Sequence, residues 1–397
     1  SSSQMRRIVE ISESSGVPFR TLPKLQSLVS GDVSFTELRE VQIEDLLGRD
    51  PVRLDADAIR GRLHGRTVFV TGGGGSIGSE LCRQIAAMEP DRLIVVDQSE
   101  YNLYSIEQEL QQSWPGLNLS CELGDICDIT GLEQIFSNYN PDVIFHAAAY
   151  KHVPMLETKV REAVKNNVMG TWNIVQLADK YACSEFVMVS TDKAVNPGNI
   201  MGATKRVAEI ICQTMDRRSD TRFITVRFGN VLGSAGSVVP LFREQIRRGG
   251  PVTVTDENIT RYFMTIPEAC RLILQTLVMG EGGEIFVLDM GEPVRILYLA
   301  EQMIRLSGRK PGEDVEIRVT GLRPGEKLHE ELFHNDEDLT DTGHSKVMLA
   351  RSRRTDWETL QSSLENFREG IIAGRSDALE ACIRRLVPEM SGSRDRD

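Results

Sequence analysis

The chain has 397 residues, enough for two or three domains, and its 40% apolar and 26% charged content is that of a globular protein with a sizeable core. A net charge of −12 argues against a general nucleic-acid binder but leaves room for a local basic pocket around an anionic substrate. Seven cysteines with no C-x-x-C pair speak against structural zinc and a disulfide framework, so no metal is expected, and no apolar run approaches the ~18 residues that cross a bilayer.

The chain opens Ser1-Ser2-Ser3 without an initiator Met or a signal-peptide pattern, as a piece of a longer protein would. Arg6 to Ser14 is helix-compatible and Val17 to Leu22 strand-compatible, the tail of an α/β unit that cannot bury its own faces. Residues 26–64 are polar, with Glu44 to Asp57 resembling a connector. Residues 1–60 are therefore expected to be a remnant of a preceding unit and a linker.

From Thr67 the pattern changes. Strands Thr67 to Val70, Arg92 to Asp97, Leu117 to Leu123, Val143 to Phe145 and Glu185 to Ser190 alternate with helices Ser79 to Met88, Asn102 to Ser113, Ile129 to Tyr139 and Val160 to Tyr181. Continuously apolar strands between helices predict an α/β fold, a doubly wound parallel sheet covered on both faces. After about residue 227 the elements shorten and loosen. We expect a nucleotide-binding domain over 61–230, a smaller and mainly substrate-binding cap over 231–350, and a C-terminal helical tail over 351–397 that includes Asp356 to Ile372, Asp377 to Leu386 and a frayed end, Ser391 to Asp397.

Gly72-x-x-Gly75-x-x-Gly78 lies between the first strand and the first helix. Glycines there let a pyrophosphate approach bare N–H groups at a helix N-terminus. Asp97 ends the second strand, 19 residues after Gly78, where a carboxylate holds an adenosine ribose hydroxyl; Gln98-Ser99-Glu100 offers no arginine for a 2′-phosphate, so NAD is expected rather than NADP. The bland alternative for Asp97 is a helix cap. The loop with Ser76 and Ile77, then Ser99, Asp125 and Ile126 after the third strand, and the small Ala147, Ala148 and Ala149 after the fourth complete the expected cofactor site.

The fifth strand ends at Ser190-Thr191-Asp192-Lys193, and Met201-Gly202-Ala203-Thr204-Lys205 opens the next helix. In short-chain dehydrogenases a Tyr stands four residues before the Lys and moves the hydroxyl proton. Here that position is Met201, whose thioether transfers no proton. The chain resembles the bacterial UDP-N-acetylglucosamine 4,6-dehydratases of the membrane-associated polysaccharide-biosynthesis group, which are extended short-chain dehydrogenases/reductases. The matching residues run through Ala149-Tyr150-Lys151-His152-Val153-Pro154, Ser190 to Ala194, Met201 to Lys205, Arg227 to Val231, Gly236 to Phe242, Arg261 to Thr265 and Arg323 to Lys327. Met in place of Tyr is a feature of the large anchored members of that group.

Elimination of water across C5–C6 of a 4-ketosugar needs a base at C5, an acid at O6 and a contact to O4. Adjacent Asp192 and Lys193 can supply the first two: a protonated Asp192 as acid and a neutral Lys193 as base, roles the resemblance supports. A neutral Lys requires burial or nearby positive charge, which Lys205 and the nicotinamide cation can supply. Thr191 is expected at O4 and Lys205 at the nicotinamide ribose. The acceptor of the O4 proton stays open between Asp192, a water on Thr191, and a relay through Tyr150 or His152.

The resemblance further implies Arg261, Arg323 and Asn230 at the diphosphate, Glu326 at the uridine ribose, Lys151 at the sugar and Val239 in the substrate site, with UDP-N-acetylglucosamine as substrate and no nucleic acid as partner. It implies a homo-oligomer paired through helices flanking the catalytic helix, and a membrane-anchored parent whose catalytic part faces the bacterial cytoplasm. Two rivals remain: a UDP-sugar 4-epimerase, which keeps the Tyr, and a non-catalytic NAD-binding scaffold, for which Met201 speaks.

Overall fold

The computed structural model describes residues 20–21, 39–41, 43–46, 54–333, 339–350 and 354–390. The expected helix Arg6 to Ser14 and the tail Ser391 to Asp397 lie outside the described residues. Of the expected strand Val17 to Leu22, Arg20 and Thr21 are described, paired antiparallel with Arg39 and Glu40. The chain divides into two compact units: residues 52–230, 266–290 and 323–397 form the larger, and residues 1–51, 231–265 and 291–322 the smaller. Where the sequence suggests one cap over 231–350, the two units instead interleave, because residues 266–290 and 323–350 return to the larger one.

The larger unit is built on a nine-stranded sheet. Its strands are β1 (Thr67–Thr71), β2 (Arg92–Asp97), β3 (Leu119–Leu123), β4 (Val143–His146), β5 (Glu185–Val189), β6 (Arg222–Arg227), β7 (Ile285–Leu288), β8 (Leu339–Asp341) and β9 (Val347–Ala350). They lie in the order β8-β9-β7-β6-β5-β4-β1-β2-β3. The seven from β7 to β3 are parallel, and β9 and β8 pair antiparallel at one edge. Strand order reverses at β1, which pairs with β2 on one side and β4 on the other, so the carboxyl ends of β1 and β4 open a crevice of the kind that takes a ligand in doubly wound sheets.

Helices α1 (Ala56–Leu63), α2 (Ser76–Ala86), α3 (Glu100–Ser113), α4 (Ile129–Tyr139), α5 (Thr171–Lys180), α6 (Ile200–Asp216), α7 (Ile266–Met279), α8 (Trp357–Ala373) and α9 (Ser376–Leu386) belong to this unit. The Val/Ile/Phe runs of β1, β2 and β4 are buried along their length, as strands covered by helices on both faces must be. Each fully buried Phe or Ile there contributes about 1.5–3 kcal/mol relative to an exposed one.

Three elements differ from the expectation. Residues read as connector include α1, whose Ile59 and Leu63 are buried and whose Asp55 N–H donates to Gln275 Oε1 on α7 (2.9 Å). The helix expected over Val160 to Tyr181 contains a π-helical stretch, Val164–Gly170, between Val160–Ala163 and α5. The C-terminal helices are no tail. Leu360, Leu364 and Phe367 of α8 and Leu379, Cys382 and Ile383 of α9 join one apolar cluster with α5 and α6. Trp357 meets Trp172 with ring centroids 6.1 Å apart and also carries the Arg218 guanidinium, 4.5 Å from its ring. The C-terminal helices thus pack against α6 within the chain.

In the smaller unit Val252–Val254 pairs parallel with Ile317–Val319, and Thr260–Arg261 antiparallel with Val294–Arg295. Helices Val238–Arg247 and Ile296–Leu306 bury Val239, Phe242, Ile246, Leu299, Ala300 and Ile304. Among the described residues no helix is long and apolar enough to cross a membrane.

Candidate active site

The glycine loop sits at the strand-order reversal. Gly72 has φ +64°, and a Cβ there would lie 2.7 Å from the Ala148 Cα; one on Gly78 would lie 2.1 Å from the Gly72 carbonyl oxygen. No side chain fits at either position. Gly75 caps α2 without any side-chain hydrogen bond. Asp97 accepts from Gly74 N–H (Oδ2, 2.9 Å) and Ser99 N–H (Oδ1, 2.8 Å). Its carboxylate is aimed by two backbone donors and keeps lone pairs for a ribose. The cap of α3 is Ser99, not Asp97, which removes the bland reading. Asp125 accepts from Cys127 N–H (2.9 Å) in the turn after β3, and Ile126 packs on Gly170, where a Cβ would lie 2.6 Å from the Ile126 Cδ1. Ala147 N–H donates to the Thr71 carbonyl (3.2 Å), closing the wall between β1 and β4. These residues fit a dinucleotide whose pyrophosphate lies on the loop.

Behind the crevice His146 is fully buried. Thr171 donates its hydroxyl to the Asn167 carbonyl (2.7 Å), so His146 Nε2–H donates to Thr171 Oγ1 (3.0 Å) and Nδ1 accepts from Thr71 Oγ1 (2.7 Å). Burial, with Lys205 adding, holds the imidazole neutral, its pKa pushed down to about 3.

The acid/base turn follows β5. Thr191, Asp192 and Lys193 form a single 3-10 turn, Asp192–Ala194, capped by Thr191. Asp192 is 1% exposed. Its Oδ1 accepts from Thr191 Oγ1 (2.9 Å) and Lys193 Nζ (2.8 Å), while the buried Oδ2 has no partner. A buried oxygen without a donor is costly unless something fills the vacancy. Lys193 Nζ also donates to Asn230 Oδ1 (3.1 Å) and stands 3.9 Å from Glu330 Oε1. Asn230, expected at a diphosphate, is therefore bonded to Lys193. Glu330 was not expected at all; its one signal in the sequence was an acidic pair, Glu330-Glu331, just beyond the Arg323 to Lys327 motif.

Helix α6 brings Met201 and Lys205 beside this turn. Asn199 caps it, its Oδ1 accepting from Gly202 N–H (2.7 Å). Gly202 is required, since a Cβ would lie 2.0 Å from the Lys193 carbonyl oxygen. Met201 is buried in the apolar cluster, and Lys205 is buried with its ammonium pushed down to about 8 by that burial. Ser190, the neighbour of Thr191, turns the other way and donates to Glu209 Oε1 (2.7 Å), which leaves Thr191 as the hydroxyl of the turn.

Two further contacts escaped sequence reading. Asn167, in the π-helical stretch, accepts from Tyr150 N–H (2.8 Å) and donates to the Tyr150 carbonyl (3.0 Å) and to Thr204 Oγ1 (3.1 Å). It ties the loop bearing Lys151 and His152, both exposed, to α6. The segment 325–331 docks on the acid/base turn. Asn199 Nδ2 donates to the Gly325 carbonyl (3.0 Å), Lys327 Nζ to the Val195 carbonyl (3.2 Å) and Asn196 Nδ2 to Glu331 Oε2 (2.5 Å). Within it Glu326 Oε2 accepts from Arg323 N–H (3.2 Å), and the Arg323 side chain is exposed. Val239 and Arg261 belong to the smaller unit; both are buried, and Arg261 Nη1 donates to the Thr260 carbonyl (2.7 Å).

Residues 68–352 match the family described as polysaccharide biosynthesis protein. The capsular polysaccharide biosynthesis protein CapD of Staphylococcus aureus is 48% identical over 85% of this chain, which spans only 56% of that relative's length. A UDP-glucose 4-epimerase of Rickettsia canadensis is 33% identical over 70% of this chain and 81% of its own. A UDP-N-acetylglucosamine 4,6-dehydratase (inverting) of Campylobacter jejuni is 29% identical over 69% and 79%. Among solved structures, the X-ray structure of Pen from Bacillus thuringiensis superposes with a TM-score of 0.67 and 32% identity, covering 74% of this chain and 89% of that one. On the extent of the family match and the identity to these relatives, this chain belongs to the polysaccharide biosynthesis protein family.

Proposed function

We propose that the chain catalyses NAD-dependent 4,6-dehydration of UDP-N-acetylglucosamine to a UDP-4-keto-6-deoxy-N-acetylhexosamine in the making of surface polysaccharide. Its relatives include nucleotide-sugar dehydratases and epimerases, which supports the broader class. The observation that carries the finer reading is the Asp192–Lys193 pair: a buried carboxyl group, one oxygen bonded to an amine and the other without a partner, beside a helix that has Met201 where a phenol would serve an epimerase.

NAD, held by the Gly72 to Gly78 loop, Asp97 and Lys205, supplies reversible hydride chemistry when bound. Thr191 hydrogen-bonds O4 of the sugar. Once C4 is a ketone the C5 proton is acidic. Lys193 takes that proton, Asp192 gives its proton to the departing C6 hydroxyl, the C6–O bond breaks and C5=C6 forms; Lys193 then returns a proton to C5 as C6 is reduced, which gives the 4-keto-6-deoxy sugar. The 2.8 Å hydrogen bond between the two side chains gives one proton a direct path between amine and carboxyl group.

Incubation of the protein with NAD and UDP-N-acetylglucosamine, followed by mass spectrometry, tests this. The expected product has lost one water. A product of unchanged mass with inverted C4 would make the chain an epimerase, and no turnover with retained NAD binding would make it a scaffold.

A further inference from the structure

We propose that Glu330 is a positioning residue of the acid/base pair, holding the Lys193 amine in place and stabilising the ammonium that forms when Lys193 takes a proton. The inference rests on the reading of Lys193 as the base. Glu330 is 7% exposed, and its Oε1 lies 3.9 Å from Lys193 Nζ. The elimination moves charge in a defined direction: the C5–H bond breaks and Lys193 becomes cationic, while Asp192 loses its proton to the leaving hydroxyl and becomes anionic. At that point Asp192 carries the compensating charge on one side of the new ammonium and Glu330 carries it on another. A fixed anion aimed at a charge that grows during the step is worth more in a site shielded from water than at a surface.

Glu330 does not reach this place as a loose side chain. Its segment is tied to the acid/base turn before it by Asn199 on Gly325 and Lys327 on Val195, and after it by Asn196 on Glu331. These bonds attach to the turn itself and to the cap of α6, so the carboxylate and Lys193 form one rigid piece. Among the described residues, the carboxylates within 4 Å of the Lys193 amine include those of Asp192 and Glu330. Asp192 is on its own turn and Glu330 on the docked segment. The first turn of α6, Ile200 to Ala203, carries no charge, with Lys205 next along that helix, and the end of β6 contributes the amide of Asn230.

The test is the pH profile of kcat for water elimination in the wild-type chain, Glu330→Gln and Glu330→Asp. The two limbs belong to the coupled Asp192–Lys193 pair, and a nearby anion raises both. E330Q is expected to lower kcat about 100-fold with little change in KM, and to move the whole bell toward acid by about 1 to 3 units. E330D, with its carboxylate set further back, is expected to move it the same way by less, and stands in if E330Q does not fold. A loss of kcat with the bell unmoved would mean a merely structural residue and would overturn the proposal. A second readout needs no turnover: the Lys193 13Cε resonance, assigned by its loss in Lys193→Arg. Its titration midpoint should fall in E330Q, and a midpoint that stays put overturns the proposal even if the chain proves not to be a dehydratase. A moved midpoint with an unchanged rate would overturn the catalytic part of it.

Discussion

Two carboxylate clusters hang from the same strand, and they are finished differently. Ser190 and Thr191 are neighbours at the end of β5, yet their hydroxyls serve opposite groups. Ser190 donates to Glu209, which also accepts two bonds from Arg227 (both 2.7 Å) and one from Arg206 (3.0 Å), with Arg206 passing on to Glu389 (3.1 Å). Every lone-pair direction of Glu209 is engaged. Burial alone would raise its carboxyl, but the Arg227 guanidinium, then Arg206 and Ser190, outweigh it and hold the pKa down at about 2. Thr191 donates to Asp192, where both donors crowd onto one oxygen and the other is left bare. The first cluster is closed and can only hold the fold together; the second is left open, and an open buried carboxyl is available for chemistry. Satisfaction of hydrogen bonds, rather than burial, separates the Glu209 carboxylate from that of Asp192.

The largest effect that sharpens this contrast is on activity. Asp192→Asn keeps the shape of the turn and removes the acid, so water elimination should fall by roughly 10²- to 10⁴-fold, read as kcat, with unfolding stability nearly unchanged. If Asp192 were another closed structural carboxylate, the asparagine variant would lose stability and keep its rate.

Glu209→Ala should do the reverse at the level of the fold. It strands two guanidinium groups in the interior, and breaking such a pair costs about 3–5 kcal/mol, measured by urea unfolding. The same carboxylate sets a pH window. Its folded pKa, about 2, lies below the ordinary 4.5, so the stability it contributes is present above pH 4.5 and is lost as pH falls toward 2. The alanine variant should show a flatter stability curve across that window.

Gly202→Ala links the two clusters through α6. The new methyl group meets the Lys193 carbonyl, so either the helix start or the acid/base turn must shift. A loss of about 1–3 kcal/mol in stability and roughly 100-fold in kcat is expected, with NAD binding retained when titrated by fluorescence. The smallest effect should come from Met201→Leu. If Met201 is packing and not chemistry, stability should change by less than about 1.5 kcal/mol and the rate should survive.

The two halves of the site were unequally legible in the sequence. The glycine loop, Asp97 and the alternating strands are set by local chain geometry: a loop that must lack side chains announces itself as glycine, and a doubly covered strand as an apolar run. Thr191, Asp192 and Lys193 are adjacent in the chain, so their grouping was readable, and the resemblance supplied their roles. Glu330 joins them from a distant segment through a sheet order that no local pattern encodes. Asn167 acts through a π-helical register that periodicity takes for ordinary helix. The C-terminal helices misled because their surface is heavily charged; the stripe Leu360, Leu364, Phe367, Ile371 was present at helical spacing and marks a face that packs. Asn230 accepts from Lys193, a contact that residue type alone does not announce.

The central claim is that an amine and a carboxyl group, side by side, replace the missing phenol. It is tested most directly by running the reaction in D2O and locating the label. The wild-type chain is expected to give a product lacking one water and carrying one solvent deuteron at C5, and Lys193→Met to lose both the label and the elimination. A Lys193→Met variant that still eliminates water and still labels C5 at the wild-type rate would contradict the account.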